Sequence, residues 1–113
     1  MRLGMTEKAS LIGRIRTAAA KRVLFLPHAV RQMSRPERMI STTEVCEVLI
    51  DGEVIEEYPD DPRGPSALLL GRGPGGRAIH VVAAPKEEYA AVITAYVPDP
   101  AIWSEDMKTR RES

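Results

Sequence analysis

Apolar residues recur at helical spacing in the first part of the chain and at alternate positions after Gly52, so the sequence reads as helices followed by strands. Residues 6–20 predict a helix, with Thr6 as N-cap and Leu11, Ile12, Ile15 and Ala19 on one stripe. Val23-Leu24-Phe25-Leu26 is a short extended run stopped by Pro27, which suits the first turn of a second short helix beginning near His28. Pro36 interrupts that helix. Ser41-Thr42-Thr43-Glu44 has the capping-box pattern. The helix it opens carries Val45, Val48 and Leu49 on one face, with Gly52 as its C′ residue.

Beyond Gly52 the period becomes two. Glu53–Tyr58 predicts a strand, closed by the turn-rich stretch from Pro59 to Pro65. Ala67–Arg72 and Arg77–Ala84 flank Gly73-Pro74-Gly75-Gly76 as a β-hairpin, and Pro85–Tyr89 connects to Ala90–Val97. Trp103 is expected to pack back on the sheet. The fold class is therefore α+β, with the N-terminal helices packed on one face of a four-stranded antiparallel sheet. The expected organisation is an amphipathic N-terminal helix over 1–21, a domain over 22–107 and a mobile charged tail over 108–113. The Leu11, Ile12, Ile15 stripe is expected to pack on the domain itself rather than to dock a partner.

Composition changes this picture in two places. The 113 residues suit one small domain. No window approaches the run of about 18 apolar residues that a membrane span needs. The best stretch, Ala18 to Val30, is broken by Lys21, Arg22, Pro27 and His28. The single cysteine, Cys46, cannot form an internal disulfide, so a reducing, cytoplasmic setting is expected. The formal charge is zero but uneven: residues 1–40 carry +7, 41–66 carry −7 and the remainder balances. Any attraction to a polyanion would be local to the basic first third.

Period two also groups the candidate chemistry. His80 shares a strand face with Ala78 and Val82, and Thr94 and Tyr96 share one with Val92. A tight Pro85–Tyr89 connection would bring His80 opposite or beside Thr94. A cluster of His, Thr and Tyr suits proton transfer and phosphate binding, although ordinary strand packing explains the same residues. His28 begins a helix where an anion is favoured. Two histidines 52 residues apart, without a cysteine pair, argue against zinc, and no cofactor is expected. Gly71 to Gly76 lacks the Lys-Ser/Thr and helix of a phosphate loop and reads as a turn. Cys46 lies among apolar neighbours and reads as structural. Arg31, Arg35 and Arg38 form a basic cluster, and Arg72 and Arg77 flank the hairpin turn.

Leu26-Pro27-His28-Ala29, Met33, Arg38-Met39-Ile40-Ser41, Glu44-Val45 and Gly52-Glu53-Val54-Ile55 follow one another in an order that resembles the DUF4258 family. The pattern continues through Gly71, Ile79-His80-Val81-Val82, Val92-Ile93-Thr94-Ala95-Tyr96, Pro98-Asp99 and Trp103, covering about residues 22–111. Ser34-Arg35-Pro36-Glu37 looks like a small insertion relative to that family. The resemblance implies a RelE/ParE-like fold of the barnase–EndoU–colicin–RelE group. It implies a toxin of a bacterial toxin–antitoxin pair and a metal-independent ribonuclease, with an antitoxin protein and RNA, ribosome-associated mRNA included, as partners. His28, Arg38, His80, Thr94 and Tyr96 match the family's recurring polar positions and become the expected catalytic set; Arg31, Arg35, Arg72 and Arg77 become the expected RNA contacts. The alternative is a non-catalytic interaction module of the same fold. The two diverge in geometry: catalysis requires His80, Tyr96 and His28 or Arg38 to meet in one open groove.

Overall fold

A computed structural model of the chain describes residues 10–112. Thr6, expected to cap the first helix, lies outside them. Helix α1 spans Leu11–Lys21, and Ser10 caps it by accepting from the Gly13 N–H at 3.1 Å. Strand β1 (Val23–Phe25) follows, then α2 (Pro27–Met33), with Pro27 in its first turn. Ser34 closes α2 three residues before Glu37, so Pro36 falls in the turn beyond the helix.

Helix α3 (Thr42–Asp51) has the capping box that its sequence announces. The Glu44 N–H donates to Ser41 Oγ at 3.0 Å, and the Ser41 N–H donates to Glu44 Oε1 at 2.9 Å. Val45, Val48 and Leu49 form its buried face. Gly52 does follow the helix, but not in the left-handed conformation expected of a C′ glycine: its φ is −72°. Glycine is needed for space. A Cβ there would lie 2.4 Å from the Val48 carbonyl oxygen and 3.0 Å from that of Leu70. The carbonyls at the end of α3 find a donor from α1 instead, since the Arg16 guanidinium donates to Leu49 at 3.3 Å and to Gly52 at 2.8 Å.

The sheet contains five strands, not four, and it is mixed. Strands β2 (Glu53–Tyr58), β3 (Ser66–Arg72), β4 (Ala78–Pro85) and β5 (Ala90–Tyr96) form the expected antiparallel meander. The added strand is β1, which runs parallel to β5 through Val23↔Ala90 and Phe25↔Val92, giving the order β1-β5-β4-β3-β2. Three residues are too few to display a period, and their partner lies far along the chain. All three helices lie on one face of the sheet. Ile15, Ala29, Met33, Val45 and Leu49 close there over Leu69, Ile79, Val81, Val92 and Ala95. The α1 stripe thus belongs to the core of the same domain.

The C-terminal stretch also differs from expectation. Lys108–Glu112 does not hang free as a tail. It returns along residues 102–104: Ser104 donates to the Thr109 carbonyl at 2.8 Å and Arg111 to that of Ile102 at 2.7 Å. Trp103 and Arg110 form an antiparallel bridge. This hairpin lies against the sheet face opposite the helices, with Trp103 only 2% exposed. Among the described residues, no helix is long and apolar enough to cross a membrane.

Candidate functional site

The candidate site forms on the face that the helices leave. Ile79, Val81 and Ala83 of β4 point into the helix-covered core, so His80, Val82 and Ala84 point the other way. His80 pairs directly with Tyr96, and Val82 pairs with Thr94. Thr94 was expected beside or opposite His80. The register instead places Tyr96 there, with Thr94 at the next position on the same face. A bulge between Val82 and Ala83 on this pairing lets β5 contribute the extra residue Ile93.

His80 is fully buried. Its Nε2 lies 2.8 Å from the Met107 carbonyl oxygen, and its Nδ1 lies 3.3 Å from the Tyr96 hydroxyl. A carbonyl can only accept, so Nε2 carries the proton in the neutral ring and Nδ1 accepts from Tyr96. Trp103 meets the imidazole edge-on with centroids 4.5 Å apart, and Tyr96 does so at 5.3 Å. Burial pushes the His80 pKa below its ordinary value, outweighing the bond to Met107 and the charge of Glu56. The ring is therefore neutral at neutral pH. Burial likewise raises the Tyr96 phenol, while the Arg110 and Arg38 guanidinium groups act in the opposite sense.

A carboxylate network braces this pair. Arg110 Nε donates to Glu56 Oε2 at 3.0 Å, its NH2 group to Oε1 at 3.2 Å, and the Tyr58 hydroxyl to Oε1 at 2.6 Å. The Arg110 guanidinium also lies 4.6 Å over the Trp103 ring. Burial, reinforced by the neighbouring Glu56 carboxylate, pushes the Tyr58 phenol up to about 12. Glu56, Tyr58, Met107 and Arg110 have no place in the sequence reading. Glu56 and Tyr58 could have been grouped by their i, i+2 spacing on a strand, whereas nothing local in the sequence leads residues 103–110 back onto that face.

The remaining expected residues divide into three groups. Arg38 is half-buried and donates to Gln32 Oε1 at 2.5 Å, and its charge reaches the Tyr96 phenol. His28, Arg31 and Arg35 are exposed on α2 and just beyond it, and Arg72 is exposed beside the hairpin turn, where it donates to the Gly76 carbonyl at 3.3 Å. Arg77 does not face outward as an RNA contact should. Its guanidinium donates to the Arg38 carbonyl at 2.5 Å, to that of Met39 at 3.1 Å and to both Glu44 oxygens at 3.2 and 3.3 Å. It staples the turn after α2 to the start of α3. His80 is corrected as well: the open groove expected to join His80, Tyr96 and His28 or Arg38 does not form, because the C-terminal hairpin seals the imidazole, so His80 can act only through Tyr96.

Cys46 is half-buried on α3, and burial raises its thiol pKa, which suits the structural role. Among the described residues, no group of three His, Cys, Asp or Glu side chains could hold a metal ion.

The arrangement can present one phenol, held by a neutral imidazole and flanked by a cation, to a ligand at the surface. Comparison with family models matches residues 25–97 to a domain of unknown function, DUF4258. No curated protein and no solved structure matches the chain.

Proposed function

The chain belongs to the DUF4258 family, and for this member we infer an RNA-directed activity: metal-independent cleavage of single-stranded RNA, as the RelE-like toxin of a toxin–antitoxin pair. The observation that carries the reading is Tyr96, a half-buried phenol that donates to the neutral His80 and feels the charge of Arg38. Metal-free RNA cleavage needs a proton acceptor for the 2′-hydroxyl and positive charge at the phosphate. The 2′-oxygen attacks the adjacent phosphorus and the 5′-oxygen leaves, giving a 2′,3′-cyclic phosphate and a 5′-hydroxyl. The 2′-hydroxyl proton passes to the Tyr96 oxygen as the phenol's own proton moves to His80 Nδ1. The leaving 5′-oxygen takes a proton from water, and the hydroxide so formed takes a proton from Tyr96 as His80 Nδ1 returns its own to the phenol, which restores the neutral pair. Arg38 stabilises the pentavalent phosphorus. Thr94 contacts the same strand, whereas Arg31, Arg35 and His28, exposed on and beyond α2 on the helix side of the sheet, are given no phosphate in this reading. A protein antitoxin covering this surface and a cytoplasmic setting belong to the same proposal.

Inducible expression in bacteria, with RNA analysed by primer extension, tests the reading. Tyr96→Phe removes the phenolic oxygen while keeping the ring, and is expected to abolish growth arrest and cleavage in a protein that still folds. Full toxicity of that variant would remove Tyr96 from the mechanism. The second reading, a non-catalytic interaction module, is favoured by the complete burial of His80. Absence of any toxicity or cleavage by the unaltered chain would support it.

A further inference from the structure

The face that carries Tyr96 continues toward the β4–β5 turn, and its side chains shrink on the way. Across β3, β4 and β5 the facing sets are Leu70, His80 and Tyr96, then Leu68, Val82 and Thr94. The next cross-strand pair on this face is Ala84 and Ala91. Two alanines side by side leave a hollow of about 320 Å³, walled by Leu26, Ile93 and the ring of Tyr89 and rimmed by Lys86 and Arg63. That volume lies at the lower end of the range for small-ligand pockets, about 300–1,000 Å³.

A second hollow, of about 540 Å³, opens on the other side of the same turn and has the opposite character. Arg14, Lys21 and Lys86 line it with Thr17, against a single acidic side chain, Glu87. Lys86 borders both hollows. Its ammonium donates to the Arg63 carbonyl, and it has no carboxylate partner among the described residues. The Arg63 guanidinium, by contrast, is bound to Asp61 at 3.0 and 3.2 Å. An apolar cavity with an aromatic wall thus adjoins a cationic one, with a lysine at the boundary. A ligand that satisfies both has a flat, largely apolar ring joined to an anion.

We propose that the Ala84–Ala91 hollow is a nucleobase subsite and that Lys86, with the Arg14–Lys21 side of the turn, holds the attached phosphate. The alanines provide the depth, Tyr89 the face for stacking and Lys86 the charge. His80 and Ala84 are four residues apart on β4, which separates this subsite from Tyr96 by about 13 Å along one continuous face. A single strand of RNA crossing Arg38 and Tyr96 would place a flanking base in the hollow; this part of the proposal rests on the RNA-cleavage reading, whereas the nucleotide site rests on its own geometry.

Methyl-region NMR of the intact protein, titrated with uridine and adenosine 5′-monophosphates and with ribose 5-phosphate, separates the two. Both nucleotides are expected to shift the Ala84, Ala91 and Ile93 methyl signals, and ribose 5-phosphate to leave them in place. Ala84→Leu, which fills the hollow, is expected to abolish those shifts. Lys86→Gln, a change at a half-buried turn residue outside the core, is expected to weaken nucleotide binding about tenfold. No methyl shift with millimolar nucleotide, or equal shifts with ribose 5-phosphate, would overturn the subsite. Tyr96→Phe is expected to stop RNA cleavage and leave the methyl shifts intact. Methyl shifts in a protein that cleaves nothing would uphold the nucleotide site and defeat the ribonuclease reading.

Discussion

The burial of His80 has a thermodynamic consequence that can be measured without knowing any substrate. The perturbation is pH, lowered from 7.5 to 5.5. His80 is sealed between the Met107 carbonyl, the Tyr96 hydroxyl and the Trp103 ring, and burial depresses its pKa in the folded state below the ordinary value of 6.5. The unfolded chain therefore binds a proton that the folded one refuses. Stability is at its full value above pH 6.5 and declines as the pH falls below it, until the folded-state pKa is reached. One group can contribute a slope of at most about 1.4 kcal/mol per pH unit, so the loss over this interval is bounded at about 1.4 kcal/mol. The carboxylates do not obscure it. Glu44, Glu56, Asp61 and Asp106 are all held below their ordinary values, so their contributions disappear only in more acid solution. The assay is urea denaturation at half-unit pH steps, performed on the unaltered protein and on His80→Asn, whose amide oxygen can still accept from Tyr96 but does not titrate. The slope should vanish in the variant. An equal slope in both proteins would refute the burial of a neutral His80, and with it the role of His80 as acceptor for the Tyr96 proton.

Three further substitutions test the frame. Gly52→Ala forces a Cβ to within 2.4 Å of the Val48 carbonyl oxygen, which belongs to the helix itself and cannot yield, so a loss of about 1–3 kcal/mol is expected by thermal or urea unfolding. Ser41→Ala removes the side-chain acceptor that caps α3 and should cost about 1 kcal/mol in the same assay. Trp103→Ala uncovers the His80 ring, and the imidazole titration followed by NMR should move up toward the ordinary histidine value; an unmoved titration would show that the C-terminal hairpin does not seal the site.

The parts of the fold that could be read from the sequence are those whose determinants are local. Ser41, Glu44 and Gly52 bracket α3 within a dozen residues, and Gly73 to Gly76 turn a hairpin between two runs of clear alternation. Parity along β4 and along the regular stretch 94–96 of β5 places His80, Thr94 and Tyr96 on one face, but it fails at Val92, expected on that face and turned into the helix-covered core by the bulge at Ile93. Register itself did not follow from parity, since the bulge at Ile93 is set by packing and leaves no local mark. Burial was less legible still. Whether His80 faces water depends on residues 99–111, whose route is fixed by Trp103, Met107 and Arg110 meeting partners elsewhere in the chain. Arg77 shows the same limit: its four acceptors lie 33 to 39 positions away, so no local pattern separates a staple from a surface cation.

The parallel pairing of β1 with β5 also bears on how the chain reaches this state. Val23 and Ala90 are 67 positions apart, and α1 and α2, which flank β1, pack over strands that come much later in the chain. During synthesis α1 and α2 emerge before β4 and β5, whose surfaces cover their apolar stripes. Closure of so long a loop is slow compared with hairpin formation between neighbouring strands. Loop closure therefore favours the hairpins between neighbouring strands over the β1–β5 pairing. In the nascent polypeptide the sealed Tyr96–His80 pair can form only after β5 and the hairpin beyond it have left the ribosome.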